Sequence, residues 1–174
     1  MREAALSGGG KMGKANIWKG AVAGLVGGLV ASYVMNEYQA LVTKLTEGNK
    51  VPGAQSDDPA TVVVGQKISE KLFGHELTTR EKKAADPIVH YATGAISGMF
   101  YGIVAEKAPR SSFGIGLPFG TSVWAIIDEV MVPALGLSKS SLEYPLSNHA
   151  YALSSHLVYG LTTDIVRKGV RKLL

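Results

Sequence analysis

The sequence predicts an all-α, polytopic membrane protein with about four transmembrane helices and a short amphipathic helix in its first loop. Three observations predict it. Apolar segments alternate with polar ones, and nearly all Lys, Arg, Asp and Glu fall between the apolar stretches. Glycine is abundant, 21 in 174 residues, against the ~7% of an average protein. Many of these glycines lie inside the apolar segments, where a soluble helix avoids them and a membrane helix uses them for close packing. Finally, the last segment, 146–166, carries His156 near the centre of the run from Ala150 to Leu161. About 20 such residues suffice to cross a bilayer, and an ionisable group at its middle is expected to face a partner inside the protein.

Residues 1–16 read as a flexible basic lead. The first span, 17–38, has an uncharged part from Gly20 to Met35, with Trp18, Lys19 and Tyr38 as interfacial anchors. Gly20, Gly24 and Gly28 repeat every four residues along it. A secretory signal peptide with Val30-Ala31-Ser32 as a poor cleavage site is the competing reading, disfavoured by the spans that follow. Residues 39–86 form a polar insert. Within it Asp57-Asp58-Pro59 marks a helix start, and Val64, Ile68 and Leu72 recur at helical spacing up to Gly74. This predicts a helix near 59–73, lying on the membrane surface, against the bundle, or in solvent as an ordinary loop helix.

The second span, 87–105, opens at Asp86-Pro87, closes at Glu106-Lys107-Ala108-Pro109-Arg110, and repeats the ladder with Gly94, Gly98 and Gly102. The third, 113–135, has Pro118 and Pro133 as expected bends. The fourth, 146–166, is followed by a basic C-terminus, 167–174. Two tripled ladders on consecutive spans predict close backbone contact between helices. The positive charges favour both termini inside.

Composition excludes several functions. There is no cysteine, hence no disulfide, thiolate metal site or Cys nucleophile. The basic residues flank apolar segments and form no single stripe, so nucleic acid is not an expected partner. Ser154-Ser155-His156 lacks a nucleophile elbow. Gly114, Gly116 and Gly120 lack the spacing of a dinucleotide loop and read as a helix entrance.

The predicted topology gathers ionisable groups in the outer half of the bundle. Glu37 sits at the outer end of the first span, and His90 lies about one turn into the second on the glycine row. Asp128 and Glu129 fall about 5 Å beyond the middle of the third. His149 and His156, seven apart, share one face of the fourth, and Glu143 can join from the connection above. Asp128 and Glu129 are separated by about 100° on an α-helix, so only one is expected to face the bundle. Three uses compete for this cluster: a structural lock of hydrogen-bonded carboxylates and histidines, a proton or solute path with titrating histidine, and a metal or haem site built from His90, His149, His156 and Glu129. The spacing fits no known ligand motif, so no metal or cofactor is expected.

One resemblance extends this reading. His90, then Tyr101-Gly102-Ile103-Val104-Ala105-Glu106 and Pro109, then Pro133-Ala134-Leu135-Gly136-Leu137, Glu143 and Ser155-His156-Leu157-Val158 resemble the small YagU-like inner-membrane proteins of bacteria. The resemblance covers the second half of the chain, departs from the family's pattern at Asp128-Glu129, and implies a bacterial inner-membrane protein of about four spans with no established activity. The expectation is therefore a non-enzymatic membrane protein, a structural or accessory subunit that packs in the lipid bilayer against itself or a larger complex. The alternative is a small proton- or ion-coupled transport or pH-responsive protein using the His/carboxylate cluster.

Overall fold

Asn16 opens the first helix by accepting from Lys19 N at 3.2 Å, a side-chain cap for an otherwise orphaned donor. The computed structural model describes residues 16–46, 58–108 and 114–174. The lead before Asn16, Asp57 and Pro109-Arg110 lie outside them. Helix α1 runs Ile17–Leu45, past the end of the apolar segment. Helix α2 is Ala60–Phe73, ended by Gly74 at φ 62°, the left-handed cap that glycine supplies without strain.

Helix α3, Thr79–Lys107, does not open at Pro87 as its apolar boundary suggested; Pro87 lies inside it. The reason is a capping box. Thr78 accepts from Glu81 N, and Glu81 accepts from Thr78 N at 2.8 Å, which nucleates the helix in its charged stretch. The Thr78 hydroxyl and backbone amide hold the Glu81 carboxyl down to about 2.

The third segment is one bent rod of three windings: α4 (Leu117–Val123), a π-helical stretch (Trp124–Met131) and α5 (Val132–Ala134). Pro118 is no bend; it occupies the first turn of α4, where its missing N–H costs nothing. Pro133 stands where the π winding ends. Leu137 N bonds Val132 O and Gly136 N bonds Pro133 O, each at 3.0 Å, a Schellman exit around Gly136 at φ 62°. A 3₁₀ turn, Ser141–Glu143, leads to helix α6, Leu146–Leu173. No strand occurs among the described residues.

Glycine seams decide how these helices pack. A Cβ on Gly20 would strike the Gly102 carbonyl, one on Gly24 that of Gly98, and one on Gly28 that of Gly94. The numbers ascend on α1 as they descend on α3, so the two are antiparallel with backbones in contact. Gly27 faces the Thr163 carbonyl of α6. Gly116 and Gly120, which the sequence offered only as a helix entrance, lie against Gly160 and the His156 carbonyl and join α4 to α6. Helices α1 and α4 therefore run one way, α3 and α6 the other.

Burial is inverted relative to a soluble core. Ser32, Ser155, Thr163 and Asp164 are the largest fully buried side chains, whereas Leu25, Leu29, Phe100, Val104, Ile126 and Val130 are exposed. Small and polar groups inside with branched apolar groups outside is the pattern of helices solvated by lipid. Helices α1 and α3 are long and apolar enough to cross a membrane.

Candidate functional site

At the end of the bundle remote from Asn16 and Leu174, α1, α3, the π stretch and α6 line a half-open chamber of about 460 Å³. His90, Asp128 and His156 share its wall with Ser32, Tyr151 and Tyr159. Ala60 and Thr61, in the first turn of α2, form part of the lining, so that helix packs on the bundle. Thr61 Oγ1 donates to Asp86 of α3, Lys82 Nζ donates to Asp58 at 2.5 Å, and Lys67 Nζ donates to Leu135 O at 3.0 Å. The predicted apolar row of α2 splits: Val64 lines the chamber, while Ile68 and Leu72 are exposed.

Each histidine of α6 meets an acid of the π stretch, but the two pairs differ. His149 Nδ1 is 2.7 Å from Glu129 Oε1, and its Nε2 is 3.0 Å from Ser141 O. A carbonyl only accepts, so Nε2 carries a proton, and the short contact to Glu129 needs a second one on either partner. This pair is closed. His156 Nδ1 donates to Ala152 O at 2.9 Å, whereas Nε2 stands 3.6 Å from Asp128 Oδ2, beyond hydrogen-bond range. This pair is open to the chamber.

Asp128 and Glu129 thus both face α6, contrary to the expectation that only one could turn inward. The π winding turns the chain through less angle per residue than the α-helical 100°, and the two histidines stand two turns apart. Glu37 does not join; it is exposed on α1, because the inner faces of that helix are spent on the glycine seams. Glu143 is exposed too and caps its own 3₁₀ turn by accepting from Ser140 N at 3.1 Å. His90 Nε2 lies 3.4 Å from Ser32 O. The sequence-derived ligand set is divided, with His149 and Glu129 in the closed pair and His90 and His156 at the chamber. Among the described residues no three His, Asp or Glu side chains gather as a metal site.

Sequence reasoning missed a second polar cluster, at the opposite end. Buried Asp164 accepts from Tyr101 Oη at 2.9 Å and Arg167 Nη2 at 2.9 Å and pairs with Lys168 Nζ at 2.6 Å. Arg171 Nε donates to Glu106 at 2.5 Å. The Arg171 hydrogen bond holds the Glu106 carboxyl below the usual carboxylate range, against burial that raises it. The spacing of Asp164, Arg167, Lys168 and Arg171 places them on one helical face, which was the available signal. Tyr159, which donates to Gly94 O at 2.6 Å, and unpartnered Ser32 gave none.

Residues 59–165 match the family model described as a protein of unknown function, DUF1440. The match spans more than half of the chain. The chain belongs to the DUF1440 family. The DUF1440 region begins at Pro59, before α2, and ends inside α6, so it holds His90, Asp128, Glu129, His149 and His156 and leaves out α1. No curated protein and no solved structure matches the chain.

Proposed function

We propose that this DUF1440 protein is a four-span, YagU-like protein of the bacterial inner membrane, with both termini cytoplasmic. In this reading it is a non-enzymatic, proton-responsive protein whose outer-half chamber takes up a small solute. One observation carries it: Asp128 and His156 face each other unbonded across the wall of a 460 Å³ chamber. A structural lock would close such a pair, as Glu129 and His149 do. The alternating helix directions and the inverted burial support four crossings, with α6 and the α4–α5 rod beside the two more apolar spans. The accessory-subunit reading leaned on the glycine ladders for its contact surface, and those ladders are occupied between α1 and α3 of the same chain.

The test uses Trp124, which begins the π stretch one turn before Asp128. With Trp18→Phe it is the one remaining tryptophan, since the chain has 2. In lipid nanodiscs its emission should titrate between about pH 5 and 8, the window of histidine. The response should disappear in His156→Gln and persist in His149→Gln. A flat profile in the parent protein contradicts the proposal.

A further inference from the structure

Resting on the chamber reading above, we infer that the occupant is a small primary amine, an ammonium head on a compact apolar body, with Asp128 as its counter-ion. The amine enters in exchange for one proton carried by the Asp128–His156 pair.

The charge inventory of the wall gives the sign. Among the residues that line the chamber there is no Lys, Arg or Glu; the carboxylate is Asp128, and the other ionisable groups are His90, His156 and two tyrosines. Both histidines can be neutral, so no fixed cation awaits an anion. From α6 Asp128 faces His156, and from α3 it faces His90. The neighbouring Glu129 is engaged with His149, and the contributions of α1 to the wall are uncharged. Lys67 of α2 is held at the rim by the Leu135 carbonyl.

Proton placement gives the exchange. His156 Nδ1–H is committed to Ala152 O, so Nε2 and Asp128 Oδ2 face each other at 3.6 Å, each able to carry a proton. Before binding, one proton on either Asp128 or His156 Nε2 leaves the pair net neutral. When R–NH₃⁺ pairs with the Asp128 carboxylate, that proton is released and His156 is left neutral. One cation enters and one proton leaves, so the site keeps zero net charge in surroundings where an unbalanced charge is costly.

The rest of the wall fits an ammonium with an apolar body. The aromatic side chains of Tyr151 and Tyr159 line it, the residue type that accommodates a cation, and Val64, Val89, Ile127 and Met131 supply apolar wall. The volume suits a ligand of modest size.

Calorimetry on the full chain in nanodiscs, with cyclohexylamine and its shape-matched neutral and anionic counterparts cyclohexanol and cyclohexanecarboxylate, tests the inference. Buffers of different ionisation enthalpy count the protons. The amine should bind about tenfold or more tighter than the alcohol, release close to one proton, and lose that preference in Asp128→Asn. The discrimination in the parent protein stands as a test even if that variant folds poorly. Equal binding of amine and alcohol, or preference for the carboxylate, overturns the amine inference and leaves the chamber in place. No binding of any probe, with the Trp124 titration intact, overturns the inference alone; loss of both overturns the chamber reading as well.

Discussion

His149 closes on Glu129 at 2.7 Å, and its other ring nitrogen donates to the Ser141 carbonyl at 3.0 Å. Three segments meet in this contact: the start of α6, the π stretch and the 3₁₀ turn. Glu129→Ala leaves a half-buried ring nitrogen without its partner. Loss of a hydrogen bond to a charged group costs about 1.5–3 kcal/mol. The thermal midpoint in detergent should fall by several degrees, and an unchanged midpoint would remove the structural role given to this pair.

The α1–α3 seam makes a graded prediction. A Cβ at Gly98 would meet the Gly24 carbonyl and Gly28 backbone, neither of which can yield as a flexible side chain does. Gly98→Ala should destabilise by about 1–3 kcal/mol and Gly98→Ile by more, read as a falling recovery of monodisperse protein. Gly74→Ala is the contrasting case: its Cβ has open space and only the left-handed φ resists it, so the effect should be smaller and local to α2.

Acid should weaken the opposite end of the bundle. The folded Glu106 carboxyl is depressed by Arg171, so its contribution is fully present above the unfolded carboxylate value of about 4.3. That contribution is lost as pH falls through the lower folded value. Glu106→Gln should lower the midpoint at neutral pH and flatten its dependence on pH below about 4. An equal acid slope in both proteins would exclude the clamp.

The chain has no cysteine, so a single introduced one reports topology. Cysteine at Leu142, 96% exposed in the connection before α6, should react with an impermeant maleimide added outside intact cells. Cysteine at Lys172 should react only after lysis. The reverse pattern would invert the proposed orientation.

The glycine ladders were legible because a four-residue repeat on two segments marks a shared face whatever the rest of the fold does. His90 and His156 were legible because a charged side chain in an apolar run has few places to go. The π winding was not, since nothing in Trp124–Met131 differs from ordinary helix former and branched apolar content. Without it Asp128 and Glu129 looked incompatible on one face. Helix boundaries drawn from hydropathy also misplaced α3, because a capping box at Thr78 starts a helix whether or not the residues after it are apolar. Glu37 was grouped with the cluster by depth alone; depth does not fix rotation, and the glycine faces of α1 turned it outward.

The measurement that bears most directly on the open and closed pairs is nitrogen NMR of histidine-labelled protein in nanodiscs. His149 should show both ring nitrogens hydrogen-bonded, to Glu129 and to the Ser141 carbonyl, while His156 should show Nδ1–H bonded to the Ala152 carbonyl and an Nε2 without a carboxylate bond. A His156 Nε2 bonded to Asp128, making two closed pairs, would contradict the open pair at the chamber.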